Sequence, residues 1–222
     1  MRHFLIIDIA TTAIPDVDGF LEEPSAPANY KDPEKIAAYV AEKKRDMADR
    51  CALDPDLGRI TAVGACSPAS AWVQTCPTED AERETLITVA REIRGRDLIT
   101  FNGFRFDLHC LQRRARYLGV PFPKLDTDRY RSSNVDLCEI LTSRGQLPSH
   151  SLGFYVKRLG WTDLAKPLTG AEEARVPETG RWDDLAASVR HDIEATQRLA
   201  SWLGVIDAVP FTQPTLPAAV TA

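Results

Sequence analysis

The sequence has no Cys-x-x-Cys pair. Its five cysteines, Cys51, Cys66, Cys76, Cys110 and Cys138, are an odd number. That spacing excludes a zinc ribbon and speaks against a disulfide framework, so reduced core thiols are expected. No apolar run approaches the roughly 18 residues of a membrane span. The run Phe4-Leu5-Ile6-Ile7 behind Met1-Arg2-His3 is too short for a signal peptide. No membrane partner and a cytoplasmic location are therefore expected. A glycine-rich phosphate loop, Gly-x-Ser-x-Gly and His-Glu-x-x-His are all missing. These absences remove P-loop, serine-hydrolase-elbow and zincin chemistry. There is no internal repeat and no low-complexity block. A large charge of one sign is absent too: 27 Lys+Arg stand against 32 Asp+Glu. The near balance hides an asymmetry, since residues 105–166 carry 11 basic and 6 acidic side chains and the remainder 16 and 26. A basic middle on an acidic chain allows a polyanionic partner without demanding one.

What is present suits one ordinary domain. The 222 residues are 44% hydrophobic and 27% charged, enough for a core and too apolar for disorder. Apolar periodicity alternates between strand and helix. Residues 3–9, 59–66 and 71–76 read as strands of one meander. Residues 32–52 read as a charged surface helix opening on Asp-Pro, inside a long excursion over 15–58. A helix over 79–94, a strand over 97–101, the turn Asn102-Gly103 and a helix over 106–118 follow. Residues 135–141 are ambiguous between strand and short helix; 151–159 and 181–203 read as helices. The expectation is an α/β fold, a single domain over 1–209 with its helical insertion at about 15–58, and a loose tail over 210–222.

Three carboxylates stand where apolar residues belong. Asp8 closes the run Phe4 to Ile7, where a strand should leave the core and α/β proteins place their chemistry; an Asp that merely starts a turn is the plainer alternative. Asp107 shares a helical face with Leu111 and Leu118, although a first-turn acid favoured by the helix dipole would look the same. Asp192 sits in the stripe Leu185, Val189, Thr196, Leu199, Leu203, whereas His191 falls on the solvent side with Asp184, Glu194 and Arg198. A carboxylate facing a core calls for a cation, supplied by an Arg or by a metal. Together the three acids suit hard divalent ions, two of which about 4 Å apart activate water and stabilise a leaving oxygen.

Three segments carry a resemblance. Phe4-Leu5-Ile6-Ile7-Asp8-Ile9-Ala10-Thr11-Thr12 is similar to the first motif of the DEDD 3′–5′ exonucleases. Leu98-Ile99-Thr100-Phe101-Asn102-Gly103-Phe104-Arg105-Phe106-Asp107 resembles their second. Ser188-Val189-Arg190-His191-Asp192-Ile193-Glu194-Ala195-Thr196 resembles their third. Val135-Asp136-Leu137, Ser151-Leu152 through Leu159-Gly160, and Lys166-Pro167 resemble the subgroup related to the exonuclease domain of family B DNA polymerases. The resemblance covers residues 3–204. It implies a ribonuclease-H-like three-layer fold, a central mixed sheet flanked by helices. It also implies two Mg²⁺ or Mn²⁺ ions and hydrolysis at the 3′ end of a single-stranded nucleic acid, DNA favoured. A polymerase would then be served in trans. In that pattern Asp8 bridges both metals, Asp192 holds the water-activating one and Asp107 serves the second.

Two departures qualify it. The first motif normally reads Asp-x-Glu, and position 10 is Ala. The third normally has Tyr four residues before the Asp or His five before, where Ser188 and Ala187 stand. Either the nuclease has lost its chemistry or a catalytic Glu has been replaced. A non-catalytic nucleic-acid-binding or partner-binding module is the rival expectation. Asp8-Ile9-Ala10-Thr11 also resembles the Asp-x-Asp-x-Thr loop of haloacid-dehalogenase-like phosphatases. There Ala10 deletes the required second Asp, and Asp183-Asp184 opens a helix instead of following a strand. Candidate substrate contacts are Thr11, Asn102, Phe104 and Phe106, the latter two by stacking. Arg113, Arg114 and Arg116 would contact phosphate, and His150 stands in a helix-cap context.

Overall fold

The computed structural model describes residues 4–207. Residue 3 of the expected first strand and the expected tail lie outside the described residues. Five strands form one mixed sheet: β1 (Phe4–Ala13), β2 (Gly58–Cys66), β3 (Ala71–Thr75), β4 (Asp97–Thr100) and β5 (Val135–Asp136), in the order β3-β2-β1-β4-β5. β3, β2 and β1 are the expected antiparallel meander, and β4 and β5 run parallel to β1. The helices are α1 (Pro33–Cys51), α2 (Glu79–Glu92), α3 (Asp107–Tyr117), α4 (Leu137–Leu141), α5 (Leu152–Arg158), α6 (Gly170–Ala174), α7 (Val176–Thr179) and α8 (Trp182–Trp202).

β1 is buried on both faces because helices cover both. Leu5, Ile7 and Ile9 pack with Leu86 and Val89 of α2 and with Leu108, Leu111 and Ala115 of α3. Ile6 packs on the opposite face with Ile193 and Leu199 of α8, and Ala10 with Leu185 and Val189. Asp8 shares the parity of Ile6 and Ala10, so strand alternation aims it at the α8 layer.

Asp8 does not end its strand, contrary to expectation. β1 continues to Ala13 along β2, with a bulge between Ala10 and Thr11. What ends is the other neighbour: the last parallel pair is Ile6 with Ile99, and β4 stops at Thr100. Beyond Ile6 this edge of β1 has no strand to satisfy its backbone, and the N–H of Ile9 donates instead to Asp107 Oδ1 at 3.2 Å.

The ambiguous 135–141 segment is both things in turn. A two-residue strand ends at Asp136, whose side chain caps α4 by accepting from the N–H of Cys138. Helices α6 and α7 are too short, at five and four residues, to show a helical period in the sequence. Thr169-x-x-Glu172 is a capping box and the sequence signal for α6. No cysteine is paired; burial pushes the thiols of Cys66, Cys76 and Cys110 to about 11, 12 and 12, which leaves them inert.

Candidate active site

Asp8 of β1 and Asp192 of α8 line one cavity of about 410 Å³, together with Phe101, Ser151, Lys166 and His191. Asp107 reaches the same neighbourhood from the start of α3, over the end of β4, through its bond to Ile9. The turn that allows this is tight. Asn102 is left-handed (φ 65°), and a side chain at Gly103 would meet Thr100 Cβ at 2.5 Å. Asp136 clamps that turn by accepting from Asn102 N at 2.8 Å and Phe104 N at 2.9 Å.

Electrostatics show that the acids sense one another. Burial, then Asp107 and Asp192, holds Asp8 well above the usual carboxylate range, with Lys166 partly opposing. Burial raises Asp107 to about 7 against two backbone N–H bonds that lower it, with Asp136 and Asp192 adding to the rise.

Two further residues belong to the cluster. Lys166 Nζ contacts Asp192 Oδ2 at 2.5 Å and lies 2.9 Å from Glu173 Oε1. Burial opposes its charge, but Asp192 and Glu173 outweigh that and raise the ammonium. Glu173, on α6, is itself raised by burial. The contact between Lys166 and Glu173 Oε1 lacks hydrogen-bond geometry, so that buried oxygen has a charge partner but no directed bond. A side-chain cation does stand beside Asp192, and it is Lys166 and not an Arg. A five-residue helix leaves no periodic trace in the sequence, so Glu173 carries no sequence signal of its own.

The remaining candidates divide. Ala10 faces α8 and borders a separate cavity with Phe106 and Glu173. Ser188 is wholly buried, and its hydroxyl accepts from Leu168 N at 3.1 Å. It anchors the segment carrying Lys166. His191 corrects its solvent-side assignment: it is buried and its Nδ1 lies 2.9 Å from Asp192 Oδ1. Thr11 is buried and donates to Ala52 O, tying α1 to β1. Phe104 packs against the core. His150 stacks on Phe154 at 4.1 Å between ring centroids. The arginine cluster is split. Arg114 is buried in a two-point bond to Glu82 (2.7 and 2.9 Å), which removes it from phosphate contact. Arg113 pairs at the surface with Asp56 at 3.0 Å. Arg116 is exposed in the last turn of α3, about 13 Å along the axis from Asp107.

No family model matches the chain, and no curated protein matches it in sequence. Among solved structures it is similar to the family B DNA polymerase from the hyperthermophilic archaeon Pyrobaculum calidifontis. The TM-score is 0.60 and the identity 16%, over 91% of this chain and 24% of that one. The chain therefore spans about a quarter of that polymerase's length. At this identity the likeness is one of fold, a mixed five-stranded α/β sheet flanked by helices. No helix among the described residues is long and apolar enough to cross a membrane.

Proposed function

We propose that the chain is a metal-dependent 3′–5′ exonuclease of the kind built into family B DNA polymerases, acting on the 3′ end of a single-stranded nucleic acid, DNA favoured. The observation that carries this is the convergence of Asp8, Asp107 and Asp192. They come from a strand and two helices at the point where β4 runs out, on a fold similar to part of such a polymerase.

The donors fit Mg²⁺ or Mn²⁺ in kind, being hard carboxylate oxygens in excess over the one ammonium among them. Asp8, Asp107 and Asp192 would hold the metal, with Glu173 sharing the cavity that Ala10 borders. They are not gathered at ligand distance: among the described residues no three His, Cys, Asp or Glu side chains form a ready metal group. Lys166 holds Asp192 and approaches Glu173 instead. When bound, the metal would supply Lewis acidity for phosphodiester hydrolysis. The protein's own part is to aim the carboxylates, to keep Asp107 fixed on Ile9, and to close the site with α8.

A second reading is a nucleic-acid-binding module without catalysis. Its support is specific: position 10 lacks a carboxylate, position 188 is Ser where the third motif has Tyr, and Lys166 already neutralises Asp192.

A free 3′ end distinguishes an exonuclease pocket from a surface groove. The experiment compares a linear single-stranded oligonucleotide with a circular one of equal length, in Ca²⁺ to suppress cleavage. The linear strand is expected to bind more tightly by about tenfold or more, since an exonuclease site takes a free end in preference to a continuous strand. Equal affinity would remove the exonuclease reading.

A further inference from the structure

Lys166 stands in a loop, yet it is not loosely held. Pro167 follows it, and the next residue, Leu168, is buried with its N–H donating to Ser188 Oγ of α8 at 3.1 Å. The ammonium is thereby set 2.5 Å from Asp192 Oδ2 and 2.9 Å from Glu173 Oε1. The two acids are fixed as well. Glu173 rides on α6, which opens on a capping box and is tied to β1 by Thr12 Oγ1 donating to Ala174 O at 2.6 Å. Asp192 has its other oxygen, Oδ1, 2.9 Å from His191 Nδ1. Two carboxylates on separate elements close on one point, and a side-chain cation of the protein occupies it.

The three converging aspartates are engaged unequally. Asp192 has a side-chain partner on each oxygen. Asp107 commits Oδ1 to the N–H of Ile9, and the Asp8 carboxyl makes no hydrogen bond among the described residues. Open carboxylate oxygen is therefore concentrated on Asp8 and Asp107, and a hard ion needs such oxygen. Position 10, on the same face of β1 as Asp8, is Ala and adds none.

We propose that the site takes one divalent ion, on the side of Asp8 and Asp107, and that the Lys166 ammonium is its second cation, built into the chain between Asp192 and Glu173. This rests on the nuclease reading and sets its metal stoichiometry. Asp192 stands between the two cations. A second divalent ion there would have to displace a positive charge that already has two partners. The ammonium lines the same cavity as Asp8, so it offers a fixed charge and N–H donors to a phosphate oxygen. It does not ionise water as a metal ion does, which leaves that task to the single ion. The charge of Lys166 is felt at Asp8, where it opposes the rise caused by burial and by the other acids.

The test is titration of the full chain with Mn²⁺ by calorimetry, together with electron paramagnetic resonance of the bound ion. The unaltered chain is expected to take one ion, with the spectrum of an isolated Mn²⁺. Lys166→Gln removes the ammonium and frees Asp192 and Glu173. A second ion is then expected to bind, spin-coupled to the first. Lys166→Arg keeps the charge and is expected to stay at one ion. Two ions in the unaltered chain, or one in a folded Lys166→Gln variant, overturns the proposal and leaves the nuclease reading standing. If Lys166→Gln does not fold, the count in the unaltered chain and in Lys166→Arg decides, and two ions in either overturns the proposal. No Mn²⁺ on the unaltered chain, or binding that Asp8→Asn does not weaken, overturns the nuclease reading along with it.

Discussion

Gly64 lies directly under Val189: a methyl group at Gly64 would stand 2.6 Å from Val189 Cγ1 and 2.7 Å from Ile193 Cγ1. Gly64 is also the residue opposite Asp8 in the β1–β2 ladder. The missing side chain is what lets α8 come down onto the sheet beside Asp8, carrying Asp192 with it. Gly64→Ala should therefore lift α8. An overpacking loss of roughly 1–3 kcal/mol is expected in urea unfolding. Manganese affinity, read by calorimetry, should fall with it. Unchanged metal affinity in a destabilised variant would separate the helix approach from the site.

Ala10 faces α8 and borders a cavity of about 620 Å³, so a longer side chain has room there. Ala10→Glu adds the carboxylate that the exonuclease pattern places at this position. Release of nucleotides from a 3′-labelled strand in Mg²⁺ should rise by about tenfold or more. In that background Asp8→Asn should return the rate to its starting level. If neither change moves the rate, the nuclease proposal fails.

Asp107 sets a pH dependence of stability. In the folded chain it keeps its proton up to about 7, against an ordinary value of 3.8, chiefly because it is buried. Between those values the native state binds more protons than the unfolded one, so stability falls as pH rises. This contribution is fully present below 3.8 and is lost through about 7. Asp8, raised in the same direction, adds to the trend. Chemical denaturation from pH 4 to 8 without metal should show the decline, and Asp107→Asn should flatten it. A variant with an unchanged slope would assign the decline to other groups.

The arginines of α3 should separate by role. Arg114 and Glu82 are both buried and doubly bonded, and Glu82 also accepts from Ile60 N at 2.9 Å, joining α2, α3 and β2. Arg114→Ala leaves a buried carboxylate unpaired and should destabilise by about 3–5 kcal/mol. Arg113→Ala and Arg116→Ala together change exposed groups and should stay within about 1 kcal/mol. They should instead reduce the salt dependence of single-strand binding by about one or two units of slope. A salt slope that the double variant does not change would remove these two residues from the nucleic-acid contact.

Local pattern was enough for much of this. The two-residue period of β1 set Asp8 and Ala10 on one face, and the 3.6-residue period of α8 set Asp192 near Val189 and Thr196. Both follow from covalent geometry and need no knowledge of neighbours. Asp32, which caps α1, was legible in its Asp-Pro pair, whereas the cap of α5 is Ser151 and not its neighbour His150.

Other features depended on what lies alongside, which periodicity within one element does not contain. β1 runs past Asp8 because β2 accompanies it to Ala13, while β4 leaves early and exposes the N–H that Asp107 fills. His191 lies on the flank of α8 turned from the sheet, and still it is buried, in a cavity wall shared with Ser151 and Leu152. Arg114 looked like its neighbours Arg113 and Arg116 until α2 brought Glu82 against it. Lys166 comes from a loop to meet Asp192 of α8 and Glu173 of a five-residue helix, two acids distant from each other in sequence. Charge pairing is a through-space interaction, so its partners are chosen by packing; the sequence determined which side chains could be charged and which way each element turned them, and the tertiary structure decided which charges met.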